Sequence, residues 1–588
     1  MKRVLIIPLL FIAFALSAAP IGERKAREIA TSFFAKTSTR SASVAVELEW
    51  AGDGLVGANI APLSTVNTDE SLLYIYNRTD EAGFVVVAGD DGVEKQIVAF
   101  SHDNTLQIKN LSGGARYMLE GWCRQIAATR SGAYVATRAS DGMDVGNVEI
   151  LYTTALWNQG TPFNNEAPVV DGYRSVTGCV ATAMSIICYH NKWPKRGVGT
   201  TPAYKYYDTY YNSRQVAANT LGREYKYDNM RSDNYENGYT SSEAAAVAAL
   251  MKDMGTSVQM GYHYEASGAY SENVGSALAT YFGYTKASVN AYGEGYTPRE
   301  WVKVLKNNIS KYGPSYFSGT IGEGGHAFVL DGYTSANYFH INYGWGGADN
   351  GYYLIPKIEF AEGQMTILNL EPDKNGTSTY TDCLFLYKYP DQTEFLGLTT
   401  DITDYKTGTY FDFNCGYIWN NGQKNFNGAI RAVLQDKDGK VKEILMSEHP
   451  IEDLPPGYLT AISTRVVITS PIASGDRIRV EYKGSYSKEW QWLRAGSVDI
   501  TEEIIVSLQA EDIAKSLGLK YDKKRRQFSF SSTYDLTYEV LNGANVSKTG
   551  GVIEPNKTVT IDASAWFKGV YKFCFRRDAA EYVLTIQL

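Results

Sequence analysis

The run Gly178-Cys179-Val180-Ala181-Thr182-Ala183-Met184-Ser185-Ile186-Ile187-Cys188-Tyr189-His190 is apolar on nearly every side and rich in alanine. It is long enough for about three helical turns. A helix with no polar face must be covered all round, so the chain has to build further layers about this segment. Cys179 opens the helix, where free backbone N–H groups and the positive end of the dipole favour an anion. That setting is expected to lower the thiol pKa and make the thiolate a nucleophile. The plain alternative is a small buried residue, since free cysteine is among the most buried types.

A chain of 588 residues is too long for one core, and three to five domains are expected. The net charge of −8 is carried without any basic block, which argues against a nucleic-acid partner. Cys123, Cys179, Cys188, Cys383, Cys415 and Cys574 are scattered and form no CxxC pair. A disulfide scaffold and a zinc ribbon are therefore unsupported. Cys188 and His190 lack partners at metal-ligand spacing, so neither a metal nor another cofactor is expected.

The N-terminus reads as a secretory signal peptide over 1–19. Met1-Lys2-Arg3 is its basic start, Val4 to Leu16 its apolar stretch, and Ser17-Ala18-Ala19 its small-residue cleavage region. No cysteine follows to carry a lipid, and no later run reaches membrane-span length, so a secreted or cell-surface protein without a membrane span is expected.

Residues 20–147 read as an α+β unit. A helix follows Pro20, with Ala26, Ile29, Ala30, Phe33 and Phe34 at helical spacing. Strands are expected at Leu72 to Tyr76, Phe84 to Val87 and Ile97 to Phe100, then a second helix over about Ala115 to Arg130. Arg130 to Val148 turns polar and reads as a cleavable linker. Residues 148–372 begin helical. A Ser-capped helix is expected from Ser242 to Met254, closed by Gly255, and another from Ser271 to Phe282. Thr297-Pro298-Arg299-Glu300 is a capping box opening a third, to about Lys311. The period then changes to that of strands, at Ser315 to Ser318, His326 to Asp331, Tyr338 to Tyr343 and Tyr352 to Ile355, so this too is an α+β domain. Beyond it, Tyr-, Val- and Ile-rich strands alternate with turns such as Asn420-Asn421-Gly422, giving two β-sandwich (Ig-like) modules over 394–498 and 500–588. Glu511 to Leu517 is the one helix expected there.

If the strands bearing His326 and Asn342 form a hairpin about residue 335, His326 falls opposite Gly344, with Asn342 one diagonal away. The even spacing puts both side chains on one face unless a bulge intervenes. An imidazole beside a side-chain amide has its tautomer and orientation fixed. With Cys179 nearby, this is a nucleophile, a base and an orienting group. Glycines at 324, 325, 344, 346 and 347 leave the backbone open to a substrate chain.

Gly178-Cys179-Val180-Ala181-Thr182-Ala183-Met184, Gly324-Gly325-His326-Ala327-Phe328-Val329-Leu330-Asp331-Gly332 and Asn342-Tyr343-Gly344-Trp345-Gly346-Gly347 together resemble the streptopain family of bacterial cysteine proteinases, in its long, interpain-like multidomain form. The resemblance covers roughly residues 20–372. It implies a papain-like protease domain preceded by an inhibitory prodomain, acting on protein or peptide substrates, with the prodomain as intramolecular inhibitor. Residue by residue it implies Cys179 as nucleophile, His326 as base and acid, Asn342 as orienting group and Gln159 as an oxyanion-hole donor. Ser267, Gly325 and Trp345 match substrate-cleft positions. The chain departs from streptopain in carrying Tyr343 after the asparagine, where a planar ring is still expected to shield a His–Asn bond.

Other residues have plainer readings. Cys188 reads as a buried core thiol and His190 as a helix-end cation. His340 shares its strand with Asn342 but lacks flanking glycines, and Asp331 reads as structural unless an acid replaces Asn342 in the triad. A competing function is a surface-binding protein whose sandwiches act while the protease domain is inert. Thr558 to Asp562 and Lys568 to Tyr571 resemble C-terminal sorting domains of exported bacterial proteins, although Ile586-Gln587-Leu588 lacks their basic tail.

Overall fold

The computed structural model describes residues 19–588 other than 38–43, 56–69, 135–141, 209, 322–323, 389–395, 474, 497–499, 509 and 578–579. The expected signal peptide lies outside the described residues except for Ala19, and so does part of the expected linker. The chain divides into two units, one reaching to Thr381 and taking in Gly422–Lys424, the other made of Asp382–Asn421 and Asn425–Leu588.

The first unit opens with helix α1, Gly22–Thr37, whose buried face is the one the spacing predicts: Ala26, Ile29, Ala30, Phe33 and Phe34. Strands β1 (Val46–Gly52), β2 (Leu73–Arg78), β3 (Phe84–Ala88) and β4 (Ile97–Ser101) follow. Every residue of β3 and β4 is buried, as continuous apolar strands covered on both faces require. Helix α2, Gly113–Arg130, is capped by Ser112, whose hydroxyl accepts the Ala115 N–H at 3.2 Å. Strand β5 (Val148–Leu151) leads to helix α3 (Cys179–Asn191), then α4 (Ser241–Ser257), α5 (Asn273–Tyr281), β6 (Val289–Tyr292) and α6 (Pro298–Tyr312). Strands β7 (Ser315–Ile321), β8 (Gly324–Thr334), β9 (Phe339–Asn342), β10 (Gly351–Tyr353) and β11 (Met365–Leu368) complete the unit.

The predicted capping box forms at α6, with Thr297 and Glu300 satisfying each other's backbone N–H groups. Helix α4 has a box of its own at Thr240 and Glu243, so its cap is a threonine rather than the expected serine. Gly255 does not end α4 either, because the helix runs on to Ser257. A Cβ at Gly255 would run into the Tyr262 hydroxyl and lie 3.1 Å from Tyr262 Cζ. The glycine therefore serves a close approach, not a C-cap.

All eleven strands join one antiparallel sheet in the order β1-β2-β3-β4-β10-β9-β8-β7-β11-β6, with β5 against the far end of β8. The N-terminal strands meet the later ones at β4 and β10, where Phe100 faces Tyr352 and Ala99 faces Tyr353. One face of the sheet's C-terminal part packs on α3, whose residues Val180 to Cys188 are all buried. Each fully buried Met or Ile there contributes roughly 1.5–3 kcal/mol. The opposite face packs on α2, in a core that draws Tyr117, Met118, Trp122 and Ile126 together with Phe317, Phe328, Leu330 and Tyr343.

In the second unit, strands Leu384–Tyr387, Leu398–Thr400, Tyr410–Asn420, Leu459–Val467 and Arg494–Ala495 make one sheet. Phe426–Gln435, Val441–Leu454, Arg477–Gly484, Gln491–Trp492 and Glu503–Ile505 make another, and a shared apolar core lies between them. Strand pairing thus carries this sandwich past both ends of the expected 394–498 span. A second apolar core gathers Phe528, Phe530, Val540, Phe573 and Phe575 from sheets of three and four strands, beside the helix Ala510–Ser516. No helix among the described residues is long and apolar enough to cross a membrane.

Candidate active site

Gly178 sets the position of Cys179. Its φ of 85° suits glycine, and a Cβ there would lie 2.7 Å from Met260 Sδ and 2.9 Å from the Ser267 carbonyl oxygen. Cys179 is consequently the first residue of α3, as expected. Gln159 is held nearby, since its carbonyl accepts the Thr177 N–H at 3.0 Å two residues before the cysteine. The thiol does not have the lowered pKa expected of a helix start. Burial pushes it above its ordinary value, and hydrogen bonds from the backbone of Ala327, Val180 and Cys179 offset this only in part. No imidazolium stands beside it to tip the balance.

His326 lies on the other side of its strand. Ala327 and Val329 of β8 pack into the α3 core, whereas Phe328 and Leu330 pack into the α2 core. His326, on the parity of Phe328, meets the start of α2, where a Cβ on Gly113 would lie 2.7 Å from its Nε2 and closer still to Cε1 and Nδ1. Burial, with the Arg116 guanidinium acting in the same direction, holds the imidazole below its ordinary pKa of 6.5. Among the described residues no hydrogen bond joins His326 to Cys179 or Asn342.

Asn342 is on the α3 side. The expected register puts it one diagonal from His326, but the pairing shifts between Leu330 and Gly332, and Asn342 stands directly opposite Val329. Asp331 is the extra residue of that bulge. One residue of slip reverses the facing of every side chain beyond it, and so His326 and Asn342 do not share a face. Asn342 is fully buried, donating from Nδ2 to Thr154 Oγ1 at 2.8 Å and to the Ala155 carbonyl at 2.9 Å. Its Oδ1 accepts the Gly344 N–H at 3.0 Å.

Tyr343 is likewise not over a His–Asn pair. Its ring stands edge-on to Phe328 and Tyr353, and a Cβ on Gly114 would approach its Cδ1 to 2.5 Å. Ser267 does not offer its hydroxyl to a cleft. It is buried, donating to the Val176 and His263 carbonyls and accepting the His263 N–H. Gly325 is exposed on β8, and Trp345 is exposed within the glycine loop that hydrogen-bonds back to Trp157 through the Gly346 N–H.

Asp331 is no substitute for Asn342 as the orienting group. Its carboxylate is taken by Thr154 and by His340, which also removes His340 from the candidates for the base. Cys188 is buried, and burial pushes its thiol up to about 12. The groups that sequence reasoning passed over are Thr154 and Gly113. The second had a signal: two of the poorest helix formers, Gly113 and Gly114, directly follow a good N-cap, and the close approach of His326 and Tyr343 accounts for them.

A second contact joins the same two regions. The Ser112 N–H, at the start of α2, donates to Asp349 Oδ2 at 2.7 Å, beside the glycine loop, and burial raises the Asp349 carboxyl above its usual range. A cysteine-led helix packed on an antiparallel sheet, with an N-terminal α+β unit continuing that sheet and wedged against the histidine strand, defines a papain-like cysteine peptidase with its prodomain attached.

Sequence comparison gives the particular family. The peptidase C10 family profile matches residues 157–353, and that of the Spi protease inhibitor matches residues 18–126. The chain belongs to the peptidase C10 family. It is 26% identical over 539 residues to the thiol protease/hemagglutinin PrtT of Porphyromonas gingivalis, a match covering 86% of this chain but only 58% of that protein. Against streptopain of Streptococcus pyogenes it is 27% identical over 353 residues, covering 57% of this chain and 85% of that one. Among solved structures, active interpain A of Prevotella intermedia is 31% identical, with 40% of this chain and 95% of that one covered and a TM-score of 0.33. A prointerpain A fragment is 27% identical, with 51% and 95% covered and a TM-score of 0.44.

Proposed function

We propose that this chain is the zymogen of an exported cysteine endopeptidase, with residues 20 to about 147 as its intramolecular inhibitor. The observation that carries the reading is the separation of Cys179 and His326 onto opposite faces of β8, with α2 of the N-terminal unit occupying the histidine's side. Cutting the linker between Arg130 and Val148 frees α2 to leave, and His326 then turns to the α3 face. β5 pairs with β8 from Val148 onward, which supports a cut before that residue.

In the freed enzyme the Cys179 thiolate attacks the peptide carbonyl, and the new C–S bond puts the charge on oxygen. Gln159 and the Cys179 N–H hold that oxyanion. His326 protonates the leaving amine as the C–N bond breaks, and water then hydrolyses the thioester with His326 as base. Asn342 orients the imidazole through its Oδ1. Gly325 and Trp345 line the path of the substrate chain, and the apolar run Val4 to Leu16 supports export.

The test is casein hydrolysis under reducing conditions by the processed protein, with and without a thiol-alkylating epoxide, beside Cys179→Ala. The expected result is hydrolysis that the epoxide abolishes, and a Cys179→Ala chain that accumulates uncut. Processed, reduced protein that leaves casein intact would favour the binding-protein reading, and full activity with residues 20–147 still attached would remove the inhibitor role.

A further inference from the structure

Behind Asn342 lies a buried polar chain that the reaction as described does not use. His340 Nδ1 contacts Asp331 Oδ1 at 2.5 Å, Thr154 Oγ1 donates to Asp331 Oδ2 at 2.5 Å, and Asn342 Nδ2 donates to Thr154 Oγ1 at 2.8 Å. Asp331, Thr154 and Asn342 are all buried, and Asp331 is the bulged residue of β8. We propose that Asp331 is a positioning residue for the peptidase reaction, acting through Thr154 to fix which end of the Asn342 amide faces His326. The proposal rests on the triad reading of Cys179, His326 and Asn342 given above.

The two ends of an asparagine amide have nearly the same shape, so packing alone does not choose between them. Hydrogen-bond polarity does. A hydroxyl can give its proton or receive one, and a neutral Thr154 with no other partner could present either to Asn342. An ionised carboxylate only accepts. Asp331 Oδ2 therefore accepts the Thr154 hydroxyl's hydrogen bond, and a lone pair is the one thing Thr154 can offer Asn342. Asn342 answers with Nδ2, whose second proton goes to the Ala155 carbonyl at 2.9 Å. Oδ1, which takes the Gly344 N–H at 3.0 Å, keeps a second lone pair to accept the imidazole Nδ1–H when His326 arrives. A flipped amide would present a donor to that nitrogen and select the wrong tautomer.

The bulge supplies the geometry. Residue 331 has the parity of Ala327 and Val329, which face α3. The extra residue leaves Asp331 on that side beside Gly332, which stands opposite His340, and the Asp331 carboxylate reaches both Thr154 and His340. The same bulge puts Asn342 and His326 on opposite faces in the zymogen, so one irregularity serves both the orienting group and the separation of the triad.

The experiment uses the processed full enzyme and a small fluorogenic peptide. Thr154→Val keeps the shape and removes the hydroxyl; kcat is expected to fall about tenfold with KM within about twofold. Thr154→Ser restores the hydroxyl and is expected to recover kcat. Asp331→Asn, which leaves one acceptor for two donors, is expected to lower kcat by a similar factor and to add little to Thr154→Val. On Asn342→Ala, Thr154→Val is expected to cost less than about twofold more, because the amide it orients is gone. A Thr154→Val enzyme with unchanged kcat, or losses that multiply in full on Asn342→Ala, would overturn the proposal even if Asp331→Asn does not fold. Hydrolysis by wild type that survives in Cys179→Ala would instead overturn the triad reading, whatever the Thr154 variants do.

Discussion

The sharpest consequence of the structure concerns Gly113. As the first residue of α2 after the Ser112 cap, it lies against His326 with no room for a side chain. Two effects of Gly113→Ala oppose each other. Alanine favours the helix by at most about 1 kcal/mol, and by less at its first position. A Cβ 2.7 Å from Nε2 and nearer to the other ring atoms forces α2 or the imidazole to move, and overpacking of that kind costs about 1–3 kcal/mol. The clash wins, and the closed form is expected to lose about 1–2 kcal/mol, a factor of about 5 to 30 in its population over the open form. Uncut wild-type and Gly113→Ala chains, followed by gel during self-processing, should show the variant maturing faster by that factor. A second assay does not depend on activity. In a Cys179→Ala background, Gly113→Ala is expected to lower the denaturant midpoint of the first unit, and His326→Ala is expected to relieve most of that loss. Wild-type maturation kinetics together with additive effects of the Gly113 and His326 changes would refute the wedge.

Three further outcomes follow from the same geometry. In the reduced, processed enzyme an alkylating reagent near pH 8 should label Cys179 and spare Cys188, whose burial pushes its thiol up to about 12; labelling of Cys188 at a comparable rate in folded protein would contradict that packing. Because His326 is held below 6.5 in the zymogen, its contribution to the closed form is full above about 6.5 and is lost as pH falls through the depressed value. Hydrogen-exchange protection of α2 in Cys179→Ala should therefore weaken on going from about pH 7 to pH 5. Asp349, held up by burial, acts in the opposite sense and favours the closed form as it protonates, so the loss should shrink in His326→Ala and grow in Asp349→Asn. Gly255→Ala should destabilise the first unit by about 1–3 kcal/mol through Tyr262, and Tyr262→Phe should recover part of it by removing the hydroxyl; an unchanged unfolding midpoint would show that the helix yields without cost.

Where residue types dictate local structure, the sequence was readable. The apolar face of α1, the box at Thr297 and Glu300, and the all-round apolar α3 each follow from spacing and capping alone. The three motifs likewise supplied the residues of the proposed site. What spacing could not supply was register. Parity predicts that residues 326 and 342 share a face, and a single bulge at Asp331, beside a Gly332 that reads from the sequence as the start of the connecting turn, reverses that. The thiol pKa failed for a related reason: a helix start favours the thiolate, yet burial without a neighbouring imidazolium outweighs it, and burial depends on tertiary partners that the sequence does not order.

These two departures have one cause, and it lies in strand β8. The strand separates two cores, one built on α3 and one on α2, so each of its residues answers to one side. From Phe328 to Leu330 large apolar side chains fix that choice: moving Phe328 to the other side would expose or misplace a fully buried ring, at a cost of roughly 3 kcal/mol or more. Residues 324 to 326 carry no such commitment. Gly324 and Gly325 have no side chains to place, and Gly319 opposite His326 adds none. The strand is thus rigid where it holds Asn342 through Val329 and free to twist where it holds His326. On this argument the switch needs no refolding of the sheet. In the proposed activation, loss of α2 removes the surface on which the imidazole rests, and the glycine-rich end of β8 lets it cross to the side that holds Cys179 and the Asn342 amide.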